Sequence, residues 1–398
     1  MADIKNYLKD REKREQTQDT YKDKIMRHKM ANIYRVLLVM VVIVAVVILI
    51  IVQYKRHIYT SYDTVSSTER QRVSDAKDVR LGNAVLTYSK DGAHCTDAKG
   101  NVTWNQTYEM QDVKLAQCQN VVAIANYNGK TIYVNNSTEQ LGQIDTNMPI
   151  RTMTVAANGN VTAVLADTDI TWINTYSPEG ELLYYGQTHM NNSGYPIAIS
   201  VSPNGELLGV SYIYVDAGVV KTDIAFYNFG EVGSNQSDFV MSVQSYPDLL
   251  APQIQFMDNQ TAFAVGDNRL MIYKGSQKPV SAAEYLYNQE VQSVFYSDKY
   301  VGLVFPSDDM ENRYCIKIYD TNAKEVGGYY FDMDYTDIIL TADNFIIYND
   351  AECVIFSYDG VEKYKGSFFK TVNRMVPLNS SYRYLLVTDD SLDTIQLK

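Results

Sequence analysis

Two groups of acidic residues are the first candidates for chemistry in this 398-residue sequence. Loop carboxylates supply the oxygen ligands that Ca²⁺ prefers, and a pair of carboxylates can hydrolyse a glycosidic bond. An acidic chain also carries such residues in solvated loops that bind nothing. We name as candidate calcium ligands Asp308, Asp309 and Glu311, in one loop-like segment, and Asp332 and Asp334, in a second segment that runs on to Asp337.

The other reactive residues form no catalytic or metal-binding pattern. The histidines are scattered: His28, His57, His94 and His189. The cysteines form no C-x-x-C pair, so we expect buried free thiols and not zinc ligands or a disulfide framework: Cys95, Cys118, Cys315 and Cys353. Nucleophile-elbow, phosphate-loop and zinc-protease motifs are also missing from the sequence. The sequence therefore predicts no enzyme, no catalytic residue and no cofactor.

Tyrosine is the other unusual feature, with 33 copies. Most of these rings, together with Trp104 and Trp172, are expected in the core. Tyrosines that reach loops or outer strands make good contact surface for peptides or sugars. We predict a ligand surface at Tyr212, Tyr214, Asp216, Tyr329 and Tyr330, partly because residues 194–247 form an unusually long unit with insertions at 214–219 and 230–238.

These side chains must be positioned by β-strands. From Asp78 onward, short runs of alternating apolar and polar residues are separated by Gly, Asn and Asp turns. A strand that ends in tyrosine recurs at intervals of 39 to 51 residues, at Tyr133, Tyr176, Tyr227, Tyr273, Tyr319 and Tyr358. This interval is the size of a four-stranded propeller blade. The sequence predicts an all-β, eight-bladed β-propeller over residues 76–398, with seven blades as the alternative.

The last repeat stops at Lys398, directly after its third predicted strand. A propeller must close to avoid exposed strand edges, so the missing fourth strand should come from the N-terminal side. The β-prone segment 57–65, or residues slightly after it, is the expected donor. Residues 55–75 are accordingly predicted to be a membrane-proximal segment that closes the ring.

A membrane span precedes this segment. Residues 36–52 are seventeen consecutive apolar residues, flanked by Arg35 and Lys55, whose charges can reach the bilayer surfaces. The apolar run is too long for an ordinary signal peptide and lacks a small-residue cleavage site, so we predict an uncleaved transmembrane helix at 33–54 after a basic tail at 1–32.

Charge indicates the orientation and excludes some partners. Residues 1–35 carry ten Lys or Arg and six Asp or Glu, so the chain's net charge of −12 leaves −16 for the remainder. The basic tail predicts a cytoplasmic N-terminus and an extracytoplasmic C-terminal domain in the cell membrane. The acidic domain disfavours nucleic acid as a partner.

The segment YSKDGAHCTDAKGNVTWNQTYEMQ (88–111) resembles the repeat of quinoprotein-like propellers. With SGYP (193–196), SPNGELL (202–208), AFYNFG (225–230) and SVFY (293–296), the chain is similar to a family of uncharacterised single-span membrane proteins with a WD40-like or quinoprotein-like ectodomain, from clostridial Gram-positive bacteria. Quinone-dependent propellers carry adjacent cysteines, which this chain lacks, so the resemblance implies fold and location and no quinone cofactor.

Together these features predict a non-catalytic, membrane-anchored module that binds or scaffolds a protein, a peptide or a cell-wall component. The alternative is a surface enzyme that acts on polysaccharide through the loop carboxylates.

Overall fold

The computed structural model describes residues 2–71, 75–166, 170–188, 194–216, 218–236, 238–378 and 382–398. The chain divides into two compact units, Met1–Ile58 and Tyr59–Lys398. The first unit is helical and the second consists of β-strands.

The first unit is one α-helix, α1 (Ala2–Lys55). Its sequence contains neither glycine nor proline, so no residue interrupts the backbone hydrogen bonds. The stretch Lys24–Ile50 is long and apolar enough to cross a bilayer, judged by length and composition. The described apolar side chains of residues 36–52 are exposed, as a lipid-facing helix requires.

The strands of the second unit follow in chain order. The first is β1 (Tyr62–Glu69). Blade 1 contains β2 (Lys77–Leu81), β3 (Ala84–Tyr88), β4 (Gly92–Thr96) and β5 (Val102–Thr107). Blade 2 contains β6 (Val113–Cys118), β7 (Val121–Asn126), β8 (Thr131–Asn136) and β9 (Gln140–Asp145). Blade 3 contains β10 (Ile150–Val155), β11 (Val161–Ala166), β12 (Thr171–Tyr176) and β13 (Leu182–Thr188).

Blade 4 contains β14 (Tyr195–Val201), β15 (Leu207–Asp216), β16 (Val219–Asn228) and β17 (Val240–Tyr246), with a short 3₁₀ helix at Gly233–Asn235. Blade 5 contains β18 (Gln253–Phe256), β19 (Thr261–Val265), β20 (Arg269–Lys274) and β21 (Val280–Leu286). Blade 6 contains β22 (Ser293–Tyr296), β23 (Tyr300–Pro306), β24 (Tyr314–Asp320) and β25 (Glu325–Phe331). Blade 7 contains β26 (Asp337–Leu340), β27 (Asn344–Tyr348), β28 (Glu352–Ser357) and β29 (Glu362–Ser367). Blade 8 contains β30 (Val372–Pro377), β31 (Arg383–Thr388) and β32 (Ser391–Leu397).

The described residues form eight separate four-stranded antiparallel sheets. The eight-bladed prediction is confirmed, and the seven-bladed alternative is wrong. Because successive strands alternate in direction, the loops of the propeller emerge on two faces. The connector face carries the hairpins between second and third strands and the connections between blades. The entry face carries the remaining hairpins, and the chain enters the propeller there at residues 59–61.

Blade 8 obtains its fourth strand from the start of the unit. β1 pairs antiparallel with β32, from Tyr62 opposite Leu397 to Glu69 opposite Ser391. The backbone N–H of Thr60 also donates to the carbonyl of Lys398 at 2.9 Å. The strand overlaps the expected donor segment 57–65 over residues 62–65 and extends four residues beyond it, to Glu69.

The core lies between the faces of neighbouring blades. Tyr273, Tyr319 and Tyr348 are fully buried. The hydroxyl of Tyr273 lies 2.9 Å from that of Tyr246, so the polar end of this buried ring has a partner. Trp104 is buried and Trp172 half-buried, while Cys118 is half-buried and the other three cysteines are buried free thiols.

Deleting residues 62–69 should destabilise the propeller, because it exposes the edge of β32 and removes every β1 contact. A loss of several kcal/mol should lower the thermal midpoint by at least about 5 °C in the full chain. The midpoint is measured by circular dichroism in detergent. A deletion of equal length at residues 5–12 is the control, and an unchanged midpoint in the β1 deletion would contradict ring closure by this strand.

Candidate functional site

A cavity of about 500 Å³ lies between blades 3 and 4, a volume typical of small-molecule and side-chain binding sites. Residues 184–188 of β13 form one side of it. Strands β15 and β16 and the start of β17 contribute to the other side, together with Phe229 and residues 238–239 in front of β17. The five rings that carry the argument below are Tyr184, Tyr212, Tyr227, Phe229 and Phe239.

Three of these rings form one wall. The rings of Tyr184 and Phe229 are stacked with their centroids 4.4 Å apart, and the ring of Phe239 meets both edge-on. The Tyr184 hydroxyl donates to the carbonyl of Phe229 at 3.0 Å. Phe239 has φ of +58°, a backbone conformation that is uncommon outside glycine. The ring contacts stabilise this conformation and join blade 4 to blade 3.

The other two rings form the floor. The hydroxyls of Tyr212 and Tyr227 lie 2.7 Å apart and share one hydrogen bond. Burial raises the pKa of both tyrosines, and the Asp238 carboxylate raises the pKa of Tyr227 further. Both hydroxyls are therefore neutral, and one hydroxyl proton and several lone pairs are left for a ligand.

Asp238 supplies the charge of the cavity. It is exposed, and one of its oxygens accepts the backbone N–H of Val240 at 3.2 Å. Among the described residues that line the cavity, none is Lys, Arg or His. A single carboxylate beside aromatic rings and neutral hydroxyls is suited to bind a cationic group of a ligand. The described residues that line the cavity do not form the pair of a nucleophile and an adjacent base that covalent catalysis uses.

The residues of the predicted ligand surface do not come together in the structure. Tyr212 was expected to be exposed, but it is only 3% exposed and forms the cavity floor, where its hydroxyl meets that of the half-buried Tyr227. Tyr214 and Asp216 lie at the connector end of β15, where Lys221 forms a 2.6 Å ion pair with Asp216.

Tyr329 and Tyr330 lie on β25 of blade 6. The ring of Tyr329 packs against Phe356 with a centroid distance of 3.8 Å, whereas Tyr330 is exposed. The insertion at 230–238 does reach the cavity through Asp238. His189, Ser193 and Ala217, which belong to the predicted motifs, lie outside the described residues.

The acidic groups lie on the connector face around one arginine. Arg313 Nε is 2.8 Å from Asp332 Oδ1, and its Nη1 is 2.8 Å from Asp334 Oδ1. The Asp309 carboxylate accepts two hydrogen bonds from its own loop, from Asn312 Nδ2 at 2.7 Å and from the backbone N–H of Glu311 at 3.2 Å.

Asp308 and Asp337 also have partners, whereas Glu311 is exposed. Gln289 donates to Asp308 at 3.1 Å, and Asp337 pairs with Arg374 in blade 8 at 3.0 Å. In the described residues no three His, Cys, Asp or Glu side chains come together as a possible metal site.

A second cavity, of about 260 Å³, lies at the seam between blades 8 and 1. Arg70, which follows β1, holds the buried carboxylate of Asp78 with contacts of 3.0 and 3.1 Å. Thr87 donates to the same carboxylate at 2.6 Å. His94 also lines this cavity, and burial followed by the nearby Arg70 cation lowers its pKa.

Comparison with known proteins places the chain in a family. A family model described as a family of unknown function, DUF5711, matches residues 54–397. The chain belongs to this family. No curated protein matches it by sequence.

Among solved structures, the chain is similar to BamB from Moraxella catarrhalis, with 11% identity and a TM-score of 0.51, over 84% of this chain and all of that one. It is also similar to AztD from Citrobacter koseri, with 6% identity and a TM-score of 0.51, over 74% of this chain and 87% of that one. At this identity the likeness concerns the propeller fold.

Stability should fall in mild acid because of His94. Its pKa is lowered in the folded protein from the usual 6.5, so the unfolded chain binds this proton more readily. The contribution of His94 is complete above pH 6.5 and is lost as the pH falls through the folded pKa. Urea unfolding from neutral pH to mild acid should show a flatter pH profile in His94→Gln than in the control His28→Gln. Parallel profiles would contradict this role.

Calcium should not stabilise the native chain, because the Arg313 guanidinium already occupies the space between Asp332 and Asp334 and offsets one of their two negative charges. Thermal midpoints measured with excess Ca²⁺ and with EDTA should therefore coincide. In Arg313→Gln both carboxylates lose their counterion, and millimolar Ca²⁺ should raise the midpoint. A calcium-dependent shift in the unmodified chain would restore the predicted calcium site.

Proposed function

We propose that this chain is a membrane-tethered extracytoplasmic propeller that acts as a non-catalytic module for binding or scaffolding a protein or peptide. The observation that carries the proposal is the aromatic cavity between blades 3 and 4. Its walls suit recognition of an inserted side chain, and its neutral tyrosines and single carboxylate lack a catalytic arrangement. The likeness in fold to BamB and AztD is consistent with a binding role.

The helix α1 is the evidence for the membrane-tethered part of this proposal. Its apolar stretch has the length of a bilayer span, and Arg35 stands just before the apolar run. The 20 residues before the apolar run include five Lys or Arg, and the 20 residues after it include four. This small excess of positive charge favours a cytoplasmic N-terminus. The net positive charge of the tail and the net negative charge of the propeller favour the same orientation.

The entry point of the chain lies in blade 8, whereas the cavity lies between blades 3 and 4. Residues 59–61 join the outermost strand of blade 8 at the entry face.

The polysaccharide enzyme is less well supported. Its best pair of carboxylates, Asp332 and Asp334, shares one guanidinium and is well exposed. A glycosidase pairs a general acid in an apolar pocket with a second carboxylate, whereas both of these carboxylates are exposed and are bound to the same arginine.

Protease treatment of intact cells whose wall has been removed tests the topology. With a tag at each end of the chain, the C-terminal tag should be cleaved and the N-terminal tag protected. Protection of the C-terminal tag would invert the topology and overturn the extracytoplasmic assignment.

Site-specific photo-crosslinking tests the binding role. A photoreactive residue in place of Tyr185, which is exposed at the cavity, should crosslink one defined partner on cells. The control position is Lys99, an exposed turn residue of blade 1. Identical products from both positions would contradict binding at the cavity.

A further inference from the structure

The strand β13 is an unprotected edge. In the described part of the chain it pairs with β12 alone, so one row of its backbone N–H and C=O groups has no strand partner. Natural edge strands are usually protected by charges, proline or a covering segment. The sequence of β13, LLYYGQT, has no charge and no proline, and Leu182, Leu183 and Tyr185 are exposed.

This edge and the aromatic cavity adjoin each other. Residues 184–188 of β13 are also cavity-lining residues. An extended peptide that pairs with β13 directs alternate side chains to opposite faces of the sheet. One of those side chains then lies over the cavity floor formed by Tyr212 and Tyr227.

Charge decides which side chain fits. The cavity holds one carboxylate, Asp238, and no salt bridge to it is present in the described residues. Aromatic faces attract a cation through their quadrupole, and the hydroxyls of Tyr212 and Tyr227 offer lone pairs. The domain that surrounds the site carries net negative charge. An arginine or lysine side chain meets all of these groups favourably, whereas an acidic side chain meets Asp238.

We infer that β13 and the adjoining aromatic cavity bind an extended basic segment of a partner protein by strand addition, with one arginine or lysine side chain inserted between Tyr184, Tyr227 and Asp238. The inference rests on the proposed binding function and specifies its ligand. The backbone of β13 provides affinity, and the cavity provides selectivity for the cation.

Fluorescence anisotropy with labelled octapeptides tests it, using the full chain in detergent. The first peptide alternates arginine and threonine. The second has glutamate in place of arginine. The third keeps the arginines but is N-methylated at alternate amides, so that it cannot donate the hydrogen bonds of a β-ladder.

The first peptide should bind, and the second and third should bind at least about tenfold more weakly. Asp238→Lys should weaken binding of the arginine peptide by about tenfold or more. The control Asp343→Lys makes the same charge change at an exposed turn of blade 7 and should leave binding unchanged. Binding of the arginine peptide should also weaken as salt is added.

Several results would overturn the inference: no binding of the arginine peptide, equal binding of the glutamate or N-methylated peptide, or equal effects of Asp238→Lys and Asp343→Lys. The proposed function fails separately. If the chain crosslinks a partner through position 185 but does not bind the basic peptide, the proposed binding function still stands and only the proposed basic ligand is rejected.

Discussion

The pairing of β1 with β32 is the constraint on which the propeller depends. Seven blades are built from consecutive strands, but blade 8 has three strands from the C-terminal end and one from the start of the domain. The two ends of the domain therefore meet in one sheet, and the contacts between all neighbouring blades are made within a closed ring. The Arg70–Asp78 pair extends this closure from blade 8 into blade 1. The carboxylate of Asp78 is almost fully buried, so removal of Arg70 would leave a buried acidic group without its ion-pair partner.

Within the ring, aromatic side chains set the spacing of the blades. At most junctions they fill the gap: Tyr273 and Phe226 lie together between blades 4 and 5, with centroids 5.0 Å apart. Between blades 3 and 4 a packed apolar cluster is accompanied by the cavity of about 500 Å³. The insertion in blade 4 brings Phe229 and Phe239 against Tyr184, and this contact leaves an open space above the Tyr212–Tyr227 pair. The proposed binding site is thus a space that the packing of these two blades leaves open.

Sequence reasoning located some of this site and misjudged the rest. The unusual length of residues 194–247 pointed to blade 4, and its second insertion contributes Asp238 to the cavity. Tyr212 was selected as a surface residue, yet it packs with Leu208 and Val210 between blades 3 and 4, where its hydroxyl meets that of Tyr227. The partner rings Tyr184 and Phe229 come from different blades, so spacing along the chain could not pair them. The acidic groups were likewise grouped without Arg313, whose position between Asp332 and Asp334 depends on the loops of blade 6.

The sequence by itself determined the repeat and the need for an N-terminal closing strand, and it limited the number of blades to seven or eight, because strand alternation, turn residues and repeat length are local properties of the chain. It also determined the apolar stretch of α1, since hydropathy needs no tertiary context. Only the tertiary structure decided which side chains meet: the hydroxyl pair of Tyr212 and Tyr227, the carboxylates around Arg313 and the exposed edge of β13 beside a cavity. The reason is physical. These contacts join residues on different strands or blades, and the curvature and closure of the ring set their distances.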